Sequence, residues 1–177
     1  MKKAIFTTVA AIIAFSIYMY FRLGMNKEVV LEAREAGPYK ILFLKHTGPY
    51  FKIAEKIEYV EKWAKANGIA CDKTFGQYLD DPKAVSEDRL QSQGGCIIGE
   101  IPKDVKPQED MIVGELPKRK YLIANFDGAP SVGPYAVYPK AFDWIAKNSI
   151  SLDGPIVEIY QVVSEKEVLT EYLFPIK

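Results

Sequence analysis

Short runs of β-branched and aromatic residues alternate with two longer amphipathic stretches along most of this chain. The run at residues 154–161, GPIVEIYQ, follows a Gly-Pro break and predicts a short β-strand. Because successive side chains point to opposite faces of a strand, Glu158 and Tyr160 share one face and Val157 and Ile159 share the other. A carboxylate among apolar strand residues has two interpretations, and both stay open here. It points to water on an open sheet face, or it lies on the floor of a concave aromatic site.

The same reasoning predicts seven further strands and two helices. The strands cover residues 28–35, 39–45, 74–81, 95–101, 111–116, 120–126 and 169–176. The first helix begins at Pro49 and ends near Gly68. Its buried face recurs at helical spacing in Ile53, Ile57, Val60 and Ala64. The second helix lies within residues 133–148, where Pro139 marks either its start or a kink. Polar segments at residues 82–93 and 102–110 are predicted loops.

The order of these elements repeats, which indicates an internal duplication of a ββαββ unit. Each half carries a glycine after its second strand, a Gly-Pro-Tyr sequence near its helix, and a strand with a tyrosine after the helix. The two aligned tyrosines are Tyr78 and Tyr160. Two such units joined about a pseudo-two-fold axis predict an α+β fold with antiparallel sheets. Both helices would lie on one face, and the other face would curve into a concave cleft, where ligand sites are common.

The N-terminus predicts a membrane anchor at residues 1–24, ahead of one domain at residues 25–177. Lys2 and Lys3 precede a nearly uncharged run from residue 4 to residue 21, and Arg22 closes it. A helix of that length is about 27 Å long, close to the hydrocarbon thickness of a bilayer. A cleaved signal peptide is the alternative, but the run ends in bulky aromatic residues and not in a small-x-small site. The positive-inside rule, with a margin of about one charge, favours a cytoplasmic N-terminus and an outside domain.

Composition narrows the chemistry further. The 177 residues carry 23 basic and 23 acidic side chains, so nucleic acid is not an expected partner. Cys71 and Cys96 are predicted on neighbouring strands but not opposite each other, which favours buried free thiols. They have no matching histidine pair, and the chain has no Gly-rich phosphate loop or nucleophile elbow. We therefore expect no metal and no cofactor.

Three segments, taken in order, resemble a known family. They are His46-Thr47-Gly48-Pro49-Tyr50 at the entry to the first helix, Gly76-Gln77-Tyr78-Leu79-Asp80-Asp81-Pro82 at a strand end, and Val157-Glu158-Ile159-Tyr160. Together they resemble the GyrI-like small-molecule-binding domain family, which also provides the effector-binding domain of AraC-type and multidrug-sensing bacterial regulators. The resemblance covers residues 28–177 and implies a duplicated fold of the type termed SHS2. It extends to a membrane-anchored autophagy receptor of the endoplasmic reticulum. That protein has a long disordered tail that we do not find here, so a receptor role is not implied.

The resemblance implies a central glutamate among aromatic rings that recognises a large hydrophobic, often cationic, ligand. This role falls on Glu158, since a buried carboxylate needs a partner and aromatic faces attract cations. Tyr78 and Tyr160 are the first candidates for the walls of the site. The weaker candidates are Tyr172, Trp144 and Trp63. Glu171 is the rival carboxylate if the groove faces the other side of the last strand.

Two other functions stay open. Stand-alone relatives imply a hydrolase of reactive cyclopropane-type compounds, in which Glu158 would act as a base and Tyr160 or Tyr78 as a hydrogen-bond donor. The third function is a protein-interaction module, whose cleft would be filled by its own side chains. His46, the single histidine, is expected to be structural or exposed. The sequence has no helix-turn-helix like that of the regulators, so we expect a stand-alone domain on a membrane tether.

Overall fold

The computed structural model describes residues 2–164 and 167–177 of the chain. These residues form three α-helices and eight β-strands. The helices are α1 Lys2–Arg22, α2 Ile53–Ala66 and α3 Gly133–Lys147. The strands are β1 Val30–Ala36, β2 Tyr39–Thr47, β3 Lys73–Tyr78, β4 Gln91–Ile97, β5 Ile112–Leu116, β6 Arg119–Phe126, β7 Ile156–Ser164 and β8 Glu167–Pro175. The predicted α+β class is confirmed.

All eight strands form one antiparallel sheet in the order β1-β6-β8-β7-β3-β4-β2-β5. The order is symmetric about the β7–β3 pair when each strand of one half is exchanged for its counterpart in the other half. Each half gives its first strand, β1 or β5, to the outer edge of the other half. The duplicated halves are therefore interlocked, and β7 and β3 meet at the pseudo-two-fold axis.

Both packed helices cover the same face of this sheet. α2 buries Val60 in a cluster with Leu42 of β2, and α3 buries Val137 in a cluster with Phe126 of β6. Leu42 and Phe126 lie on one face because a single row of directly opposed residues joins them. That row reads Leu42, Cys96, Thr74, Tyr160, Thr170 and Phe126. The predicted placement of two helices on one face is confirmed.

The opposite face is filled, which corrects the predicted position of the cleft. A cluster of buried apolar side chains covers it, and its members include Ile41, Phe43, Phe75, Ile123, Val157, Ile159 and Leu173. These side chains pack against one another as the sheet curls, without a helix layer above them. Glu158 is directly opposite Tyr172, which belongs to the α3 cluster, so the carboxylate lies on the helix face.

The bounds of most strands differ by a few residues from the sequence prediction, and β4 differs most. β4 begins at Gln91, four residues before the predicted start at residue 95, and ends at Ile97. Its polar first residues pair with β2 on one side and with β3 on the other, so tertiary pairing overrides their weak strand propensity. β3 ends at Tyr78, and the three polar residues predicted to follow it lie outside the ladder.

Cys71 and Cys96 form a disulfide, so the prediction of buried free thiols was wrong. Cys71 lies just before β3, whereas Cys96 lies within β4 and is paired with Thr74. The segment that enters β3 passes beside β4, which brings the two Cα atoms to 5.4 Å, within the range that a disulfide spans. The two cysteines are 25 residues apart in the sequence, and no local pattern predicts that they come together.

The N-terminal helix α1 lies outside the core. Its 18-residue span Ile5–Arg22 has the length and hydropathy to cross a membrane and is not buried in the protein. Its C-terminal end is nevertheless held by the turn after β6. The backbone N–H of Ala129 donates to the Leu23 carbonyl at 3.0 Å, and the Lys27 ammonium lies 2.7 Å from the Asp127 carboxylate.

Candidate functional site

Glu158 lies at the centre of the sheet. It occupies β7, and its directly opposed residue on β3 is Gly76. Aligning Tyr78 with Tyr160 makes Gly76 and Glu158 equivalent positions of the two halves, so the pseudo-two-fold axis passes between them. The duplicated fold thus holds one carboxylate at its centre, where the other half has a hydrogen atom in place of a side chain.

Glycines on the neighbouring strands make room for the aromatic and helical groups around this carboxylate. A Cβ atom on Gly76 would lie 3.1 Å from the Tyr78 hydroxyl oxygen, because the Tyr78 ring lies over that position. A Cβ atom on Gly94, next to Gly76 across the ladder, would lie 2.7 Å from Ile57 of α2. These two glycines therefore let Tyr78 and α2 approach the sheet beside Glu158.

Two tyrosines hold the Glu158 carboxylate. The Tyr138 hydroxyl of α3 donates to Oε1 at 2.6 Å, and the Tyr160 hydroxyl donates to Oε2 at 2.8 Å. Tyr160 lies 3.1 Å, oxygen to oxygen, from the Tyr78 hydroxyl. Glu158 as a whole is 3% exposed. The aligned tyrosines of the two halves thus meet over the axis. The Glu158 carboxylate links their hydroxyl groups to the hydroxyl group of Tyr138.

Burial dominates the protonation chemistry of this group. It raises the pKa of Glu158 above its usual value, while the hydrogen bonds from Tyr138 and Tyr160 oppose the rise. Burial, followed by the nearby Glu158 charge, also raises the pKa of Tyr138, Tyr160 and Tyr78. These three phenols therefore stay protonated and act as hydrogen-bond donors. Of the four groups, the Glu158 carboxyl is the one that loses its proton at the lowest pH.

Aromatic rings surround the hydroxyl chain on both sides. The Tyr138 ring makes edge contacts with Tyr172, Phe174 and Phe142 at centroid distances of 6.0, 5.3 and 6.0 Å. On the other side the rings of Tyr50 and Tyr78 are 4.9 Å apart. The site is therefore a carboxylate enclosed by aromatic rings and hydroxyl groups, between α3 and the turn that precedes α2.

Three buried hydroxyl groups on the same face, those of Ser92, Thr170 and Tyr172, have no well-aligned hydrogen bond among the described residues. Thr170 and Tyr172 are nevertheless close enough to interact: burial and the Glu158 charge raise the pKa of Tyr172, and a hydrogen bond with the Thr170 hydroxyl opposes the rise. Thr170 and Tyr172 are directly opposed to Tyr160 and Glu158 on β7. The Tyr172 hydroxyl packs closely against Gly133 at the start of α3, where a Cβ atom would overlap it at 1.8 Å. Buried hydroxyls without a hydrogen bond are costly, and Ser92 is the clearest example on this face.

The structure separates the predicted site residues into two groups. Tyr78, Tyr160 and Tyr172 lie around Glu158 on the helix face. Trp63 packs against the α2 cluster and Trp144 against the α3 cluster. These positions suit core tryptophans.

The other candidate groups have different surroundings. Glu171 is directly opposed to Ile159, on the other face from Glu158, and lies 3.5 Å from the Arg34 guanidinium. His46 is half-buried, with its Nε2 atom 3.1 Å from the Pro49 carbonyl oxygen. Its contact joins the end of β2 to the turn before α2, which is a structural role.

Tyr138 is the residue that the sequence analysis missed. It lies on α3 one residue before Pro139, which was read only as a start or a kink of the helix. Pro139 falls inside α3, so the helix continues through it. A polar tip beside an apolar helix face was the available signal, since Tyr138 directly follows buried Val137 and lies three residues before buried Ala141.

Two shallow surface depressions lie away from Glu158. One, of about 460 Å³, is lined by residues that follow α1 and by the ends of β6 and β8, including Lys27, Val30, Phe126, Asp127 and Leu169. The other, of about 310 Å³, lies beside the Cys71 segment and the end of β4. Around Glu158 the protein's own tyrosines fill the space, so access to the carboxylate requires them to move.

The comparison with known families settles what the chain is. A model of the GyrI-like small molecule binding domain matches residues 31–177. The chain belongs to this family. The match begins in β1 and covers both ββαββ halves, so the whole sheet and both packed helices are family features. The helix α1 lies outside the matched region.

Individual relatives agree with this assignment. A DNA gyrase inhibitor from Pectobacterium carotovorum subsp. carotovorum (strain PC1) is 30% identical over 86 residues, which cover 46% of this chain and 56% of that protein. The match thus spans little more than half of its length. The crystal structure of the EcmrR C-terminal domain is similar at a TM-score of 0.64 and 19% identity, over 84% of this chain and 98% of that one. The structure of SAV2435 bound to tetraphenylphosphonium is similar at a TM-score of 0.53 and 13% identity, over 84% and 94%.

Proposed function

We propose that this GyrI-like domain binds a hydrophobic organic cation between α2 and α3, with Glu158 as the counter-charge. The observation that carries the proposal is a single carboxylate, 3% exposed, with no cationic partner among its hydrogen bonds to described residues. Burying an ionised carboxylate without a counter-charge costs several kcal/mol or more, and a bound cation removes that cost. Tetraphenylphosphonium, bound in the distant relative SAV2435, is a probe of the right class.

The surrounding residues support this choice of ligand class. Tyr78, Tyr160 and Tyr172 present rings and hydroxyls on the same face, and aromatic faces attract cations. Because the Tyr138 hydroxyl donates to Oε1, the Tyr138 ring has to swing aside before a bulky cation reaches the carboxylate.

A thermal-shift experiment tests the proposal. Residues 25–177 keep every strand and both packed helices, and α1 lies outside the core, so this part is suitable for the measurement. A ligand present at 100 times its dissociation constant adds about 2.7 kcal/mol of stability. For a domain of this size that corresponds to a rise in Tm of about 5–10 °C. Tetraphenylphosphonium is compared with neutral triphenylphosphine oxide.

Two variants make the result specific. Glu158→Gln should lose the cation-dependent shift. Glu171→Gln, which removes the same charge from the opposite face, should keep it. No shift in the parent, or an equal shift in both variants, contradicts the role of Glu158. The first of these outcomes would favour a protein-interaction module, since the site is filled by its own side chains.

We further propose that α1 anchors the domain at residues 25–177 to a membrane, with the domain on the outer side. The length and hydropathy of Ile5–Arg22 support an anchor, although a signal sequence passes the same test. The disulfide between Cys71 and Cys96 supports the outer side, because disulfides persist in oxidising compartments. Alkaline extraction of membranes tests the anchor. Whether a tag at the C-terminus is accessible from the outer side of the membrane tests the side on which the domain lies. Release of the chain by the alkaline extraction would contradict the anchor.

A hydrolase is the second candidate function. The Tyr160 hydroxyl lies 2.8 Å from a carboxylate whose pKa burial raises, and a carboxyl group with a raised pKa is suited to acid–base chemistry near neutral pH. Turnover of an alkylating cyclopropane substrate by the parent, and its loss in Glu158→Gln and Tyr160→Phe, would establish this activity. Saturable binding without turnover would exclude it for the substrate used.

A further inference from the structure

A two-stranded finger projects from one end of the sheet. β7 extends beyond Tyr160, its last residue paired to β3, and β8 begins before Thr170, its first residue paired to β6. The finger therefore consists of residues 161–164 and 167–169, which pair only with each other. Four strand residues extend about 13 Å. Within the part of the chain that the structure describes, no strand other than β7 and β8 forms a ladder with this segment.

The finger carries exposed apolar side chains. Val162 is 68% exposed and Val163 is 58% exposed, and Val162 is directly opposed to Val168. Valine side chains in this position are not stabilised by contact with water. Val162 and Val163 are consecutive, so the finger exposes a small apolar surface near its end.

The helix α1 leaves the domain at the same end. Phe126, the last residue of β6, is paired with Thr170 at the base of the finger. The turn directly after Phe126 holds the end of α1 through the Ala129 N–H and the Leu23 carbonyl. Gly24 is packed so closely that a Cβ atom there would lie 2.8 Å from the Cα atom of Gly128. Anchor and domain are therefore joined without a flexible linker.

We infer that the finger contacts the lipid bilayer into which α1 inserts. This inference rests on the anchoring role proposed for α1. The hydrophobic span ends at Arg22, and the domain begins two residues later, so this end of the sheet stands at the membrane surface. The surface depression of about 460 Å³ is lined both by Lys27, which follows α1, and by Leu169 of the finger, so the two segments are neighbours at this end of the sheet. The finger then holds the domain in one orientation on the membrane.

Fluorescent labelling in nanodiscs tests the inference with the full chain. Cys71 and Cys96 are joined in the disulfide, so a single introduced cysteine is the labelling site. Val163→Cys places an environment-sensitive NBD label on the finger. Phe51→Cys, in the turn before α2 and 73% exposed, is the control at the opposite end of the sheet. We expect a blue-shifted emission and loss of most of the intensity on adding nitroxide-labelled lipid for Val163→Cys, and neither change for Phe51→Cys.

Each other outcome overturns a defined part of the argument. A chain that incorporates into the discs but whose Val163→Cys label reports water refutes the finger contact and leaves the anchor intact. A blue-shifted label that nitroxide lipid does not quench indicates cover by a second copy of the chain and also refutes it. A chain that does not incorporate at all refutes the anchor and, with it, the inference. The same label on residues 25–177, mixed with the same discs, should stay unquenched if α1 delivers the finger to the lipid.

Discussion

Replacing Tyr138 by Phe removes one hydroxyl group from the site and leaves the ring in place. The three edge contacts with Tyr172, Phe174 and Phe142 are made by the ring, so Tyr138→Phe keeps them. What is lost is the 2.6 Å hydrogen bond to Glu158. A hydrogen bond to a charged group contributes about 1.5–3 kcal/mol to the free energy of unfolding. For a domain of this size we expect Tm to fall by about 3–12 °C.

The loss should depend on pH, and the sign follows from the raised pKa of Glu158. Its folded-state pKa lies above the unfolded value of 4.5, so its contribution to stability is greatest below that value and falls as pH rises through the folded pKa. Losing the Tyr138 donor raises the folded-state pKa of Glu158 further. In the variant, the contribution of Glu158 to stability therefore keeps falling up to a higher pH. At acidic pH the lost bond joins two neutral groups and contributes only about 0.5–1.5 kcal/mol. The gap between parent and variant should therefore widen from acidic to neutral pH.

Urea unfolding of residues 25–177 across this pH range measures the gap directly. Tyr59→Phe is the matched control, because Tyr59 also donates a 2.6 Å hydrogen bond, to Gln108, but at an exposed site. We expect a change within about 0.5 kcal/mol for that variant at every pH. Equal stability of Tyr138→Phe and the parent at neutral pH, or a gap that does not change with pH, would refute the hydrogen bond to an ionised Glu158.

Three further predictions concern other parts of the molecule. Cation binding should strengthen as pH rises through the folded-state pKa of Glu158 and then level off, and below that pKa binding should release a proton. Calorimetry in buffers of different ionisation enthalpy measures the proton release. Binding that does not change with pH would contradict the role of Glu158. Gly133→Ala should destabilise the domain by about 1–3 kcal/mol through overlap with the Tyr172 hydroxyl, and adding Tyr172→Phe should restore part of the loss, so a double variant no more stable than the single one would contradict this contact. Cys71→Ser should lower the free energy of unfolding by about 3 kcal/mol by opening the loop closed with Cys96, and urea unfolding equal to that of the oxidised parent would argue against the disulfide.

Local patterns in the sequence were sufficient for most of the fold. Alternation along strands and helical spacing of apolar residues are short-range signals, and they placed all eight strands and both packed helices. The repeated order of elements indicated the duplication, and the run from residue 4 to residue 21 indicated α1. Strand periodicity also put Glu158 and Tyr160 on one face, which the hydrogen bond between them agrees with.

The site depended on contacts between distant segments, which no local pattern contains. The β7–β3 pairing brings Glu158 opposite Gly76, and the approach of α3 adds Tyr138 to the carboxylate. The packing of both helices on the Glu158 face also decided between Glu158 and Glu171 for the buried position.

The remaining differences have the same origin. The polar start of β4 forms a strand only because β2 and β3 flank it, and the disulfide forms only because the segment before β3 passes beside Cys96. The sequence by itself therefore determined the elements, the duplication and the fact that Glu158 and Tyr160 share a strand face, but not that the helices cover this face. The tertiary structure alone decided which side chains meet that carboxylate, because such contacts join residues far apart in the chain and depend on how the two halves interlock.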